Sequence, residues 1–216
     1  MVTMISPTTQ PIILEGVGWA TYACLLADFG DSHAARLAYD QGTLEIMAPS
    51  FVHERLKSLL TDLVVALATG MGLDFESAGS TTFAREDVGR GFEPDASFYV
   101  QHVADIQGHT TIDLTTDPPP DLVIEVDITH PSLNKLPLYA AIGVPEVWRY
   151  DGQHVLLYRG VHDTYEPAEA SMVLRGVIRQ DIAHLLTLSH QMPRAAWIKH
   201  VQAWPHTQGL DTPGAP

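Results

Sequence analysis

Two stretches of this chain place carboxylates where carboxylates are costly. The first reads Phe92-Glu93-Pro94-Asp95-Ala96-Ser97-Phe98-Tyr99-Val100, and the second Asp121-Leu122-Val123-Ile124-Glu125-Val126-Asp127. Both have strand character, and a strand turns successive side chains to opposite faces. In the first, Pro94, Ala96, Phe98 and Val100 share one face, with Glu93, Asp95, Ser97 and Tyr99 on the other. In the second, Leu122, Ile124 and Val126 oppose Val123, Glu125 and Asp127. An acid set among Val123, Ile124 and Val126, as Glu125 is, costs free energy to bury unless it finds a partner. Glu125 and Asp127 stand roughly 6.6 Å apart at their Cα atoms, two strand rises of about 3.3 Å. If Asp95 joins them, three negative charges converge, and only a cation or a basic side chain makes that tolerable. Each acid taken singly also fits a solvated strand face or, for Asp127, a strand-end turn. Pro-Asp on one strand and an apolar-flanked Glu on a later one together form a pattern that calls for a cation or a basic partner.

Other chemistries fall away. His53-Glu54 has Lys57 where the helical zinc-protease motif needs a second histidine. Gly16-Val17-Gly18 is followed by Thr21, so the dinucleotide fingerprint lacks its third glycine. No phosphate-loop lysine motif and no Gly-x-Ser-x-Gly elbow occurs. The single cysteine, Cys24, excludes a thiolate zinc site and an internal disulfide, which fits a reducing compartment. The 11 histidines show no ligand spacing.

Length and composition frame these residues. The chain has 216 residues, enough for one hydrophobic core, with 45% hydrophobic and 18% charged residues as in a globular domain. Twelve Lys and Arg against 26 Asp and Glu leave a net charge of −14, which argues against broad binding to nucleic acid or to an anionic membrane. A local basic groove on an acidic body stays open, with Arg85, Arg90, Lys135 and Arg149 as its candidates. The longest apolar run, 63–73, is too short to span a bilayer, and no secretory signal opens the chain, which therefore reads as cytoplasmic.

The elements that must carry the acids are legible from periodicity. Residues 53–69 predict the clearest helix, with Leu56, Leu59, Leu60, Leu63, Val64 and Leu67 on one stripe. A shorter helix is expected over 19–29, another over 134–142, and a third over 180–201 with a kink near Pro193. Strand-like runs at 36–39 and 43–47 flank Asp40-Gln41-Gly42 as a hairpin, and 147–150 pairs with 155–159 around Asp151-Gly152. This order predicts an α/β fold, a mixed central sheet flanked by helices with an N-terminal β-hairpin. The expected organisation is a flexible segment over 1–16, one domain over 17–203 and a disordered tail over 204–216.

The motifs together resemble a known family. Glu93-Pro94-Asp95, then Pro120-Asp121-Leu122-Val123-Ile124-Glu125-Val126, then Lys135-x-x-x-Tyr139-Ala140 and Gly143-Val144-Pro145-Glu146-Val147-Trp148 are similar to the Uma-type "putative restriction endonucleases" of the PD-(D/E)XK nuclease superfamily. The likeness extends to Gly42-Thr43-Leu44-Glu45 and to the helix that begins at His53-Glu54, and it runs from about Trp19 to Tyr165. It implies a restriction-endonuclease-like fold and a Mg2+-dependent phosphodiesterase acting on DNA, with Mn2+ as a substitute and a homodimer as the working form. Asp95 matches the motif aspartate and Glu125 the second acid, both as metal ligands. The wider superfamily has its lysine two positions after the second acid; this chain has Asp127 there, and Lys135 matches a lysine supplied by the following helix.

Around this set stand the accessory candidates Asp127, His53, Glu54 and Tyr139. Asp127 is expected to face the same site, either reaching the metal through water or pairing with Lys135. On a helical wheel His53 lies near the apolar stripe and is read as a satisfied core histidine, with a place at the site's border as the alternative. Glu54 lies almost opposite and suits a helix N-terminal acid favoured by the dipole. Lys135 alone also fits a solvated helix-end cation. Two classes of function stay open. One is a metal-dependent DNA endonuclease, favoured because Asp95, Glu125 and Lys135 occur together. The other is a catalytically silent nuclease-fold binding protein of a mobile-element or defence system, favoured by the negative charge.

Overall fold

A computed structural model describes residues 11–30, 35–128 and 133–210. In chain order the elements are β1 (Ile12–Leu14), α1 (Trp19–Phe29), β2 (Arg36–Asp40), β3 (Thr43–Met47), α2 (Phe51–Gly70), β4 (Glu76–Ser77), β5 (Phe83–Arg85), β6 (Arg90–Phe92), β7 (Ala96–Tyr99), α3 (Val103–Ile106), β8 (Leu122–Val126), α4 (Leu136–Ile142), β9 (Glu146–Tyr150), β10 (Val155–Val161), β11 (Thr164–Ala168), α5 (Arg179–Leu188) and α6 (Arg194–Gln208). The architecture is the expected α/β one, with the strands divided between two sheets. A six-stranded sheet runs β11-β10-β9-β8-β7-β4, and a five-stranded sheet runs β1-β3-β2-β6-β5. The six-stranded sheet is mixed, because β8 pairs parallel to β9 while β7 pairs antiparallel to β8. The expected hairpin is β2–β3, in the five-stranded sheet. Its turn needs positive φ at Gln41 (47°) and Gly42 (107°), which glycine adopts without a Cβ clash.

Helices cover the six-stranded sheet from both sides. On one face the stripe of α2 buries Leu56, Leu60, Leu63 and Leu67 against Ala96, Phe98, Leu122, Ile124 and Trp148, and α5 and α6 close the same core. The Ser50 hydroxyl starts α2 by accepting from the His53 N–H at 3.2 Å. On the other face Tyr99, Val123 and Val147 meet Leu138, Tyr139 and Ile142 of α4, with Ala38, Phe83 and Phe92 reaching in from the five-stranded sheet. Strand β8 is buried along its whole length, as a central strand covered on both faces must be. A buried carboxylate pins its start. Asp121 accepts from the N–H groups of Val100 and Gln101, each at 2.7 Å, and of His102 at 3.1 Å, fastening the end of β7 to the beginning of β8.

Several boundaries differ from expectation. Ile12–Leu14 pairs with β3 and so lies inside the fold, not in a flexible segment. The helical pattern over 180–201 is two helices, α5 and α6, separated around Pro193. Helix α6 continues to Gln208 through Pro205, so the expected tail does not begin at 204. Trp204 and Pro205 are buried, and packing against α2 outweighs the local cost of a helical proline. Strand β11 had no signal beyond the hairpin before it. Residues 1–10 and 211–216, also assigned to the flexible ends, lie outside the described residues. Among the described residues no helix is long and apolar enough to cross a membrane.

The α2–α6 contact rests on the absence of a side chain. A Cβ on Gly70 would lie 2.1 Å from the Gln202 carbonyl oxygen and 3.2 Å from Pro205 Cγ. Gly70→Ala should therefore push α6 off α2 and lower unfolding free energy by about 1–3 kcal/mol in urea melts; an unchanged midpoint would refute the tight crossing.

Candidate active site

The two acids meet by register. Ala96 pairs with Ile124 across the antiparallel β7–β8 ladder, so one rung further along Asp95 stands opposite Glu125. Opposed residues in such a ladder project to the same face. Both carboxylates are buried, Asp95 at 2% and Glu125 at 5% exposure. Their apolar neighbours do what the sequence suggested, with Ile124 and Val126 turned into the α2 core.

Each acid has its own supports. Asp95 Oδ2 accepts from the Val126 N–H at 2.7 Å and lies 3.1 Å from His53 Nε2. Glu125 Oε2 accepts from Lys135 Nζ at 2.9 Å, and Oε1 accepts a short hydrogen bond from the Tyr139 hydroxyl. Burial opposes the Asp95 charge, yet His53, Lys135 and the Val126 amide hold its carboxyl below the usual range. Glu125 goes the other way. Burial pushes it up to about 7 with help from the Asp95 charge, against the pull of Lys135 and Tyr139. Lys135 remains cationic: burial works against its charge, but Glu125, Asp95 and Glu45 raise it above its ordinary value. Burial, then the charge and hydrogen bond of Glu125, raise the Tyr139 hydroxyl well above its own.

The remaining candidates divide. His53 is buried as expected, but it is not a satisfied core residue. Nδ1 has no hydrogen-bond partner and Nε2 faces Asp95, so the ring borders the site. Burial works to lower its pKa, and Asp95 outweighs that, leaving it raised. Glu54 is 45% exposed at the side chain and lies 3.7 Å from Lys57 Nζ, a helix-end acid as its wheel position indicated. Asp127 faces the pocket of Glu125 and Lys135 but pairs with neither Lys135 nor the other acids. Arg149 Nε holds it at 2.5 Å. The parallel β8–β9 ladder explains this, because it sets Arg149 beside Glu125 and brings Asp127 within that side chain's reach. The expected convergence of Asp95, Glu125 and Asp127 is thus replaced by a pair of acids with a neighbouring ion pair. Among the described residues no three His, Cys, Asp or Glu side chains form a metal-binding group.

The sequence reading missed Glu45. It lies on β3 of the other sheet, is 4% exposed, lines the same pocket and accepts from the Leu133 N–H at 3.2 Å. In the sequence it stands only as the end of the Gly42-Thr43-Leu44-Glu45 motif, and the closing of the five-stranded sheet over α4 brings it to the site. Each of the four cations named for a local basic groove has an acid partner. Arg85 pairs with Asp87, Arg90 with Asp40, Lys135 with Glu125 and Arg149 with Asp127. In a chain with more than twice as many acids as bases, the neighbouring acid takes each of these cations first.

Two buried carboxylates with only oxygen donors suit a hard divalent cation of the Mg2+ kind, which uses one or two carboxylates and fills its other positions with water and substrate oxygen. The raised Glu125, pressed by the Asp95 charge, is the imbalance such an ion would relieve.

Comparison with known proteins speaks to family and fold. The family model Uma2, described as "Putative restriction endonuclease", matches residues 19–189. Among solved structures, a "putative nuclease" from Anabaena variabilis superposes with a TM-score of 0.51 at 16% identity, over 79% of this chain and 99% of that one. At that identity the likeness speaks for a shared fold. No curated protein matches the chain.

The raised Glu125 has a consequence for stability. The folded state keeps this proton up to about pH 7, whereas the unfolded chain releases it near the ordinary 4.5. Its contribution to stability is therefore full below pH 4.5 and is lost as pH rises through 7. In Glu125→Gln the unfolding free energy should fall less steeply between pH 5 and 7, as urea melts at several pH values will measure. An identical slope would mean that the carboxyl ionises normally.

Proposed function

The chain belongs to the Uma2 family of putative restriction endonucleases, and from that premise we propose that it is a divalent-metal-dependent endonuclease hydrolysing DNA phosphodiester bonds. The observation that carries the proposal is the buried opposition of Asp95 and Glu125, with Lys135 ion-paired to Glu125. Asp95 and Glu125 would hold Mg2+, with Mn2+ as a substitute. When bound there, the ion supplies charge neutralisation at the phosphate and lowers the pKa of a coordinated water.

The chain's own residues supply the rest. Val126 N–H and His53 orient Asp95, and Tyr139 fixes one oxygen of Glu125. These bonds fix both carboxylates in direction before any ligand arrives, so little reorganisation remains to be done at the moment of reaction. Lys135 stays charged, which suits it to orient the attacking water and to stabilise negative charge on phosphorus oxygens, and not to accept a proton. A homodimer of this chain would bring two such sites to the two strands of a duplex at once. The reading carries with it a cytoplasmic DNA substrate.

Two measurements test this. Calorimetry with Mg2+ or Mn2+ should show binding that Asp95→Ala abolishes, with a proton released below pH 7 as Glu125 ionises; no divalent binding by wild type would overturn the proposal. In cleavage of supercoiled plasmid, Lys135→Ala should be at least ~100-fold slower, or ~2.7 kcal/mol of barrier, with metal binding intact. Lys135→Arg, which keeps charge without a removable proton, should retain part of the activity. Cleavage by Lys135→Ala at the wild-type rate would reduce the lysine to a counter-ion.

A further inference from the structure

With Arg85, Arg90, Lys135 and Arg149 all engaged by acids, a substrate strand needs another cation. Arg36, on β2 beside the site, is one the structure offers. Its Nε is buried and has no hydrogen-bond partner. The residue lines a cleft of about 910 Å³ whose wall also includes Ser80, Thr82, Thr110 and Thr111. Such a wall is lined by an arginine and by hydroxyl-bearing side chains, residue types that bind phosphate oxygens in nucleic-acid complexes.

The cleft is joined to the site on two sides. In the β2–β3 ladder Arg36 pairs with Met47 and Ala38 with Glu45, so these four residues share one face of the sheet. Met47 and Glu45 line the pocket that holds Glu125 and Lys135. Arg36 is therefore one cross-strand rung from the rim of the candidate active site. On the other side, Ser80 Oγ donates to the Asp95 carbonyl at 3.1 Å and accepts from Lys57 Nζ at 3.0 Å. The acid in the cleft wall, Glu93, turns its carboxylate inward, where it accepts from the Leu37 N–H at 2.7 Å and the Thr82 hydroxyl at 2.8 Å.

We propose that this cleft is a phosphate-binding subsite for the nucleic-acid strand that runs on from the scissile bond, with Arg36 as its anchor and the Thr110 and Thr111 hydroxyls beside it. The assignment rests on the nuclease reading above and deepens it. It also answers the negative charge of the chain: the strand is gripped at a few pre-formed points and not by a basic field, so binding depends only shallowly on salt.

Fluorescence anisotropy of labelled single-stranded and duplex DNA, with the full chain in Ca2+, which takes the same oxygen donors, tests this across a salt series. Arg36→Gln should weaken binding about tenfold and reduce the slope of log K against log salt by about 0.7 to 0.9, the loss of one phosphate contact. Arg36→Lys should keep most of that slope, and Thr111→Val should cost about two- to threefold, which keeps the test open if Arg36→Gln melts early. Arg36→Gln binding with wild-type affinity and slope, beside a wild type that binds and cleaves DNA, overturns the subsite and leaves the nuclease reading standing. Wild type binding neither form of DNA overturns both. Inorganic phosphate that binds in an Arg36-dependent way without displacing the oligonucleotide overturns the strand as the occupant.

Discussion

Everything in this molecule near β7 and β8 answers one cost, that of bringing two carboxylates together out of water. A lone ionised carboxylate in such a place is disfavoured by several kcal/mol or more, and a second of the same sign adds to it. The fold meets that cost with neighbours drawn from two helices on opposite sides of the sheet. His53 comes from α2, on the far side of the sheet; Lys135 and Tyr139 come from α4 and its approach. The compensation is uneven. Asp95 is held as an anion and Glu125 is left reluctant to ionise, and this asymmetry separates a poised site from a settled salt bridge.

The layers follow from that requirement. The six-stranded sheet needs an apolar support below the acids, which α2 provides, and a cover above them that carries polar groups, which α4 and the five-stranded sheet provide. A parallel β8–β9 pair demands a crossover, and α4 is that crossover. The lysine can therefore sit on the connection and still reach the strand. The position two residues after Glu125 is then free for Asp127, which serves to hold Arg149.

What was legible in the sequence was whatever a local period determines. The two faces of β7 and β8, the stripe of α2 and the β2–β3 turn all follow from spacing within a dozen residues. His53 was half legible: its wheel position gave its burial, but not the carboxylate that its ring meets. Asp127 was legible in its place but not in its partner, and Glu45 was legible as part of a hairpin motif but not as a site residue. The partner of one is set by a parallel register and the place of the other by the packing of one sheet over a helix, and neither leaves a local trace. The end of α6 went unseen for a related reason. Trp204 and Pro205 read as the start of a tail until Gly70, a residue far away in the chain, leaves room for them.

The buried Asp121 carries a further meaning. Together with the bond from Val126 N–H to Asp95, it ties the β7–β8 ladder at both ends. A strand that slips by a single residue turns its whole pattern over, and here that would send Glu125 into the α2 core and Ile124 toward Lys135. The two ties work as a latch on alignment, leaving one pairing of the strands in which every buried acid has its partner. The residue types around the site can then change without the strands losing count, so the scaffold can drift in sequence while its geometry stays in place.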